Sequence, residues 1–316
     1  MSSGPSDVSV CDAVIIIGFG GPTAADQIRP FLDRVLQGRP VPRDRYETVV
    51  HHYELLGGRS PYNDLTMREA AALRAALAAQ GVDAPVAVGM RNTAPFIEDA
   101  LRELMERRAR RVFGFILAPH RCAASWERYQ SDVAAARERI GPGAPEVVYP
   151  APWHNDSRFV AAVADRANEA IARLDPAAGA AAELIFTAHS IPAVMAARAP
   201  YVAQLKESAA LVAARLGRPA WRIAYQSRSG GPRDPWLEPD INEVLRGMAG
   251  RAAIVIPIGF VCDHVEVLYD LDIEAAATAR AAGVAFVRAA TVSDHPRFIE
   301  MMAALARTCA GAAGGE

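Results

Sequence analysis

Short runs of β-branched and aliphatic residues alternate along the chain with longer amphipathic segments. Most of the short runs are apolar throughout, which is typical of strands that are covered on both faces of a sheet. We predict strands at Ala13–Ile17, Val86–Gly89, Val112–Leu117, Val147–Tyr149, Leu184–Thr187, Arg222–Tyr225, Ala253–Pro257 and Ala285–Val287. Several intervening segments repeat apolar residues with a helical period, as at Met67–Ala79, Phe96–Glu106 and Ala209–Leu216. Strands that alternate with helices predict parallel βαβ units.

The predicted strands form two sets of four whose neighbouring sequences correspond. The segment VIIIGFG (14–20) matches LIFTAHS (184–190) in position. Likewise FGFILAPH (113–120) and AIVIPIGFVCDH (253–264) each give an apolar strand, a proline and a histidine at the start of the next helix. We therefore predict an α/β fold with two similar doubly wound, Rossmann-like domains, each containing a four-stranded parallel sheet.

The correspondence also divides the chain. We predict an N-terminal domain at 11–153 and a C-terminal domain at 154–316, and the last helix could pack back on the first domain. The alanine-rich segment PAAGAAAE (176–183) is expected to be a surface loop. Ligands of open parallel sheets bind beyond the carboxyl ends of the strands, and a cleft between two domains is the default site. The loops that follow the strands are therefore where we look for chemistry.

Charge and composition exclude several classes of function. The 316 residues carry a formal net charge of -2, without a basic excess of the kind that nucleic-acid binding needs. No apolar run approaches the roughly 20 residues of a membrane helix, so we expect no integral membrane association. The four cysteines lie far apart, which indicates neither a zinc ribbon nor a disulfide framework. We expect a monomeric protein of the cytoplasm.

Two of the loops after strands carry glycine or histidine. The turn Gly18–Pro22 is rich in glycine, but it matches neither a dinucleotide fingerprint nor a P-loop, so a close approach to a flat ligand is favoured over nucleotide binding. His189 ends the fifth predicted strand and is suited to moving protons near neutral pH, although it could equally be held by its neighbours. No nucleophile elbow supports a hydrolase built on His189 and Ser190.

An acidic row follows the seventh predicted strand. Glu266, Asp270 and Glu274 are spaced four residues apart, so on a helix they share one face. Such a row is either a solvated acidic face or a track of carboxylates for a divalent cation, because hard oxygen ligands suit a hydrated ion. Glu266 lies nearest the strand end and hence nearest the predicted cleft.

At this point the chain resembles the ferrochelatases. The resemblance rests on three long motifs, FTAHSIP (186–192), AYQSRSGGPRDPWLEPD (224–240) and PIGFVCDHVEVLYDLDIE (257–274). Shorter matches precede them in family order: GFGGP (18–22), HHYELLGGRSP (51–61) and VGMRNTAPFIEDAL (88–101). The matches span nearly the whole chain, and long motifs in a fixed order are more specific than a lone glycine-rich turn.

The resemblance implies roles for the candidate residues. His189 and Glu266 would be catalytic, facing each other across the cleft to bind the incoming Fe²⁺ or accept the pyrrole protons, with the division of labour open. Asp270 and Glu274 would continue a metal-binding row. The remaining positions that match porphyrin-binding residues of the family are Phe19, His52, Tyr53, Ser60, Arg91 and Tyr129. Each of these also has an ordinary structural interpretation, such as a turn residue, a surface charge or a core aromatic.

Two departures bear on the subtype. Some ferrochelatases hold a [2Fe–2S] cluster with four cysteines, but here Cys309 stands alone near the end and Trp126 takes the place of an upstream cysteine, so we expect no cluster and no required cofactor. The segment 116–133 is nearer the type that uses coproporphyrin III. The segment 22–45 is polar and rich in arginine, without an apolar membrane lip.

The resemblance thus implies Fe²⁺ insertion into coproporphyrin III in haem synthesis, with a coproheme decarboxylase as the downstream partner. The alternatives are a protoporphyrin IX ferrochelatase, a cobalt or nickel chelatase of another tetrapyrrole, and a haem or porphyrin carrier without turnover. The long segment 224–240 argues against a cobalt or nickel chelatase. The presence of both His189 and Glu266 argues against a carrier.

Overall fold

The computed structural model describes residues 11–229 and 234–308. Each of the eight predicted strands is present, with small shifts at some ends. The strands are β1 (Ala13–Gly18), β2 (Val86–Met90), β3 (Arg111–Ile116), β4 (Glu146–Val148), β5 (Glu183–His189), β6 (Trp221–Gln226), β7 (Ala252–Ile256) and β8 (Ala285–Arg288). They form two four-stranded parallel sheets with the orders β2-β1-β3-β4 and β6-β5-β7-β8. The predicted fold class, α/β with two similar four-stranded parallel sheets, is confirmed.

Helices connect the strands within each half. In the described residues they are α1 (Ile28–Leu36), α2 (Arg43–Leu55), α3 (Tyr62–Ala78), α4 (Ile97–Glu106), α5 (Arg128–Ile140), α6 (Ser157–Ile171), α7 (Pro176–Ala181), α8 (Ala193–Ala196), α9 (Tyr201–Arg215), α10 (Ile241–Arg246), α11 (Val265–Val267), α12 (Ala276–Ala281) and α13 (Pro296–Thr308). A 3₁₀ turn lies at Ala25–Gln27, and π-helical segments lie at Ala123–Glu127 and Leu268–Ala275. None of the described helices has the length and apolar character to cross a bilayer.

The expected surface loop at 176–183 is wrong, because most of it is helix α7. The Asp175 side chain accepts hydrogen bonds from the backbone N–H groups of Ala177 (2.9 Å) and Ala178 (3.4 Å). Pro176 occupies the first helical position, where its missing N–H costs nothing. Capping and alanine propensity together stabilise a short helix that the pattern of apolar residues does not reveal.

The two halves meet in a shared core. Trp153, at the predicted boundary, is buried against Phe115 of β3 (ring centroids 5.1 Å apart), Phe159 of α6 (5.3 Å) and Phe298 of α13 (5.8 Å). Helix α13 packs on both α3 and α6, so the end of the chain contacts the first half as well as the second. Burial of such side chains contributes about 1.5–3 kcal/mol each, so this junction holds the two sheets in a fixed relation.

Candidate active site

His189 and Glu266 come together at the carboxyl edge of the second sheet. His189 is the last residue of the central strand β5, and Glu266 lies in α11, just after the loop that leaves β7. The Nε2 atom of His189 is 3.7 Å from Oε1 of Glu266. Both side chains are partly open, with exposures of 29% and 39%. The pair therefore combines a base and a carboxylate that a ligand in the cleft can reach.

Neighbouring groups set the orientation of the His189 ring. Its Nδ1 atom contacts the carbonyl oxygen of Ser190, which can only accept a hydrogen bond. A neutral ring therefore carries its proton on Nδ1 and leaves the Nε2 lone pair towards Glu266. The hydroxyl of Tyr201 donates to the carbonyl oxygen of His189 at 2.9 Å and fixes the strand end beneath it.

His264 is a third member of this group and was not among the predicted site residues. Its Nε2 atom is 3.6 Å from Oε2 of Glu266, so the carboxylate lies between two imidazoles. The ring is largely buried and packs edge-on against Phe260, with centroids 4.9 Å apart. Burial lowers the pKa of His264, although the charges of Glu266 and Asp263 oppose the shift. The histidine after a strand and a proline was the available signal, since it starts the helix that carries Glu266.

Two of the three residues of the acidic row lie on a π-helical segment, and Glu266 lies in the short helix α11 before it. Leu268–Ala275 follows α11 directly and carries Asp270 and Glu274. Such i→i+5 turns are rare and are found frequently at functional sites. The charges of Glu266 and Glu274 both raise the pKa of Asp270, as expected for carboxylates on one side of the helix. In the described residues, no three histidine, cysteine or acidic side chains form a closed metal site.

Asp270 is the most perturbed carboxyl of the row. Burial raises the pKa of Asp270 to about 7, the charges of Glu266, Glu274 and Asp240 add to the shift, and a hydrogen bond from the Ser227 hydroxyl opposes it. Ser227 has a φ of 61°, an uncommon backbone conformation for a residue other than glycine. Near neutral pH this carboxyl is therefore poised between its charged and neutral forms.

The other end of the row is held by an amide. The side-chain amide of Asn242 donates to Oε2 of Glu274 at 3.4 Å, and the Thr278 hydroxyl donates to the Asn242 oxygen at 2.8 Å. Nearer the centre, the buried Gln226 amide donates to the backbone carbonyl of Glu266. Gln226 and Ser227 belong to the motif at the end of β6, so strand-end position was the signal for them.

The first half faces this group with aromatic side chains. The Phe19 ring packs edge-on against Phe31, and Phe31 packs edge-on against Tyr53, with centroids 6.0 Å apart in both pairs. Val265, the neighbour of Glu266, packs against the same cluster. Burial raises the pKa of Tyr53, and the charge of Glu266 adds to the shift. Tyr53 and Val265 thus connect this cluster, against which Phe19 packs, to the segment that carries Glu266.

His52 and Tyr129 also lie near the segment that carries Glu266 and the acidic row. The His52 ring stacks on Tyr269 of the π-helical segment, with centroids 3.5 Å apart and 13° between the planes. Burial lowers the pKa of His52, and the neighbouring His51 adds to the effect. Tyr129 is buried, which raises the pKa of its hydroxyl, and the Glu266 charge again contributes. His52 is therefore a direct contact between the two halves.

Ser60 and Arg91 have partners of their own. The buried Ser60 fills the space beside Gly21, where an added Cβ would lie 2.5 Å from the Ser60 Cβ. Arg91 forms an ion pair with Asp132, with Nε and Oδ2 2.9 Å apart, and its backbone N–H donates to the Gly18 carbonyl at 2.9 Å. A role for these two residues in porphyrin binding stays a prediction.

The arginine-rich segment 22–45 is ordered into α1 and the start of α2. The apolar side of α1, which includes Phe31, is buried against α2. Arg34 donates to the carbonyl of Asn92 at 3.0 Å, and Arg45 donates to the carbonyl of Arg228 at 3.3 Å. Arg45 therefore links this segment to the loop after β6 in the second half.

The cysteines do not approach one another where the structure describes them. Cys122 and Cys262 are buried, and Cys11 is partly buried. Cys309, on which the cluster prediction depends in part, lies outside the described residues. Trp126 is buried, with the Arg121 guanidinium 3.9 Å from its ring centroid. The absence of an iron–sulfur cluster stays a prediction.

The chain is similar to known proteins along nearly its whole length. Residues 11–309 match the family model for ferrochelatase. The chain is 40% identical over 304 residues to a ferrochelatase of Rhodopirellula baltica, covering 95% of this chain and 86% of that protein. It is 41% identical over 297 residues to a coproporphyrin III ferrochelatase of Mycolicibacterium smegmatis, covering 92% of this chain and 87% of the relative.

A solved structure shows the same architecture. SirB from Bacillus subtilis with Fe³⁺ aligns with a TM-score of 0.61 at 13% identity and covers 95% of both chains. At that identity the likeness concerns the fold alone. The family match extends over nearly the whole chain and the sequence relatives agree with it, so this protein belongs to the ferrochelatase family and is a metal chelatase, a lyase of haem biosynthesis.

Proposed function

We propose that this chelatase inserts Fe²⁺ into coproporphyrin III to form coproheme. The observation that carries the proposal is the His189–Glu266 pair, 3.7 Å apart at the open edge of the second sheet. The kinship with relatives named coproporphyrin III ferrochelatases supports the choice of porphyrin. A coproheme decarboxylase would then act on the product, and we expect both steps in the cytoplasm.

The reaction needs a base and a set of oxygen or nitrogen ligands. Insertion expels two N–H protons from the macrocycle, and Fe²⁺ must exchange its water for other ligands step by step. The Nε2 lone pair of His189 and the Glu266 carboxylate can each accept a proton or contact the ion. Asp270 and Glu274 would deliver the hydrated ion along the row, since carboxylate oxygens suit it.

The first half would hold the macrocycle. Phe19 and Tyr53 offer apolar surface beside Glu266, and a phenyl ring cannot ligate iron, so the metal would meet no protein ligand from Phe19. We propose that the porphyrin or its carboxylates contact Phe19, His52, Tyr53, Ser60, Arg91 and Tyr129. Clamping of the macrocycle would expose its nitrogen lone pairs, with strain supplied by binding energy at remote edges.

An anaerobic Fe²⁺ insertion assay with coproporphyrin III and protoporphyrin IX side by side tests the choice of substrate. We expect a preference of at least tenfold in kcat/KM for coproporphyrin III, which requires only about 1.4 kcal/mol. The assay is run with and without detergent, because protoporphyrin aggregates. Equal or better use of protoporphyrin IX under both conditions would contradict the proposal.

We further propose that the enzyme works as a monomer without a resident cofactor. Four cysteine thiolates are needed for a [2Fe–2S] cluster, and the sequence offers four cysteines that are widely spaced. Anaerobically purified protein should contain no acid-labile sulfide and no iron beyond bound substrate. Stoichiometric iron and sulfide would contradict this part of the proposal, and a sedimentation experiment would measure the oligomeric state.

A further inference from the structure

A buried acid–thiol contact lies behind the candidate active site. Glu69 of α3 is fully buried, and its Oε1 atom accepts a hydrogen bond of 2.8 Å from the Sγ–H group of Cys262. The Thr66 hydroxyl lies 3.9 Å from the same sulfur. Glu69 and Cys262 are 193 residues apart in the sequence and belong to opposite halves of the molecule. The contact therefore ties the first half to the segment that leads to Glu266.

The contact sits on one face of α3. Tyr62, Thr66 and Glu69 are spaced so that all three point to the same side of the helix. The Tyr62 hydroxyl accepts a hydrogen bond from the backbone N–H of Phe19 at 3.1 Å, and its ring lies 6.0 Å from that of His264. One helical face thus contacts the Phe19 turn of the first half and the Cys262–Glu266 segment of the second.

The segment has separate ties to its own half. The backbone N–H of Ser293 donates to the Val261 carbonyl at 2.7 Å, and Arg288 pairs with Asp263 at 3.2 Å. Cys262, between these two anchored residues, is the point where the segment bonds to Glu69. His264 follows it by two residues and Glu266 by four, so the position of Cys262 bears directly on the distances between these groups and His189.

A buried carboxyl at this position reduces stability. Burial raises the pKa of Glu69 to about 8, so the carboxyl is largely neutral at pH 7. The charge of Asp294 adds to the shift. Hydrogen bonds from Cys262 and Ser293 and the charge of Arg68 oppose it. Burial of a carboxyl costs free energy of folding, and residues that break a local rule in this way are expected at functional sites.

We propose that Glu69 is a positioning residue of the chelatase. Its carboxyl anchors Cys262 and thereby holds His264 and Glu266 at their working distance from His189. The inference rests on metal-chelatase activity and is independent of which porphyrin the enzyme uses. Displacement of a catalytic group by about 1 Å can cost on the order of 10²-fold in rate, so loss of the anchor acts on turnover.

The test compares variants that keep the acceptor or the donor with variants that remove them. Glu69→Leu and Cys262→Ala each remove the bond; we expect kcat to fall at least tenfold, with the Kd for porphyrin changed less than threefold. Glu69→Gln retains the acceptor oxygen and Cys262→Ser retains a donor, so both should keep kcat within threefold of the wild type. The double variant Glu69→Leu/Cys262→Ala should be no slower than the slower single variant, because each single variant already removes the same hydrogen bond.

Stability measurements separate positioning from folding. Glu69→Leu also replaces a buried carboxyl with an apolar side chain, so its Tm should equal or exceed that of the wild type while kcat falls. Leu73→Ala, a core truncation on the same helix, is the control and should lower Tm and leave kcat unchanged below the transition. If Glu69→Leu does not fold, Cys262→Ala decides the question, since it removes only a thiol.

Three results would overturn the assignment: kcat within threefold of wild type in both Glu69→Leu and Cys262→Ala, a fall in kcat that merely follows Tm, or equal losses in Glu69→Gln and Glu69→Leu. Assays use whichever porphyrin the wild type turns over faster. An inactive wild type would contradict the proposed function, whereas an active wild type with unaffected variants would contradict only the role of Glu69.

Discussion

The two sheets share one strand order, yet their carboxyl edges carry different kinds of side chain. The second sheet presents His189 and Glu266, which are titratable and partly exposed. The first sheet presents Phe19, which packs into a cluster of aromatic rings with Tyr53. Side chains after equivalent strands therefore differ between the two sheets. Under the proposed function, the second half would perform the chemistry and the first half would support the macrocycle.

His120 and His264 show how similar sequence positions diverge. Each follows an apolar strand and a proline, but His120 is fully buried and within 3.1 Å of the Ser208 hydroxyl of α9. Burial lowers the pKa of His120 to about 3, so it remains neutral and joins the halves. His264 instead lies beside Glu266. The difference lies in the surroundings and not in the residue type. Helix α9 covers His120, whereas His264 lies next to the Glu266 carboxylate.

Glu266→Gln should have the largest effect on the second half. The amide keeps the shape of the side chain but removes its charge and its basicity, so we expect insertion to fall by about 10³-fold or more, within the range for lost acid–base groups. Single-turnover insertion of Fe²⁺ measures it. The exposed Glu243→Gln in α10 is the control and should retain full activity. Retention of a tenth of wild-type turnover by Glu266→Gln would show that the chemistry lies elsewhere.

His189→Ala should lower turnover by at least about 10²-fold, because the Nε2 base is lost. Porphyrin binding, measured by fluorescence quenching, should survive, since the aromatic first half remains intact. The exposed His51→Ala on α2 provides the matched control. Near-normal turnover by His189→Ala would contradict a role for this histidine in the mechanism.

Asp270→Asn should mainly affect the use of Fe²⁺, raising its KM about tenfold with kcat within about threefold, since one charged ligand of the row is lost. Because the pKa of Asp270 is about 7, the wild-type KM for Fe²⁺ should also rise as the pH falls from 8 to 6. That rise should be smaller in Asp270→Asn. Glu274→Gln should act in the same direction. Identical mild effects of all three acidic substitutions would show that the row is only a solvated face.

The same carboxyl should have an opposite effect on stability. The folded-state pKa of Asp270 lies above the value of about 3.9 for an unfolded chain, so ionisation costs more in the folded state and stability is lost as the pH rises from about 4 to 7. Asp270→Asn should therefore gain a few degrees in Tm over the wild type at pH 8 and less at pH 4, as measured by calorimetry. A Tm difference independent of pH would contradict this account.

Phe19→Leu should have the smallest effect and tests the first half. Leucine keeps apolar contact but loses the flat ring beside Phe31, so the KM for porphyrin should rise about threefold, equivalent to less than 1 kcal/mol, with kcat unchanged. Steady-state assays over a range of porphyrin concentrations measure both constants. A tenfold fall in kcat at constant KM would contradict the proposed difference between the halves, because the first half would then take part in the chemistry.

The sequence by itself predicted the strands, their parallel arrangement in two sheets and a candidate site at the strand ends. Apolar runs between helical segments predict buried parallel strands, and the carboxyl ends of such strands lie at one edge, so His189 and Glu266 could be placed at a cleft. The resemblance to long family motifs then implied metal insertion into a porphyrin. These inferences succeed because they depend on local patterns and on a general rule of sheet geometry.

Only the tertiary structure decided which side chains meet. Glu69 bonds to Cys262, far away along the chain, and Arg91 pairs with Asp132. Neither contact follows from periodicity, because both depend on how helices pack over the sheets. The π-helical segment under Asp270 differs from an α-helix by one step in hydrogen-bond register, and no spacing of residue types distinguishes the two. The strand ends therefore indicated where the candidate site lies, whereas long-range packing determined which charged and polar groups surround it.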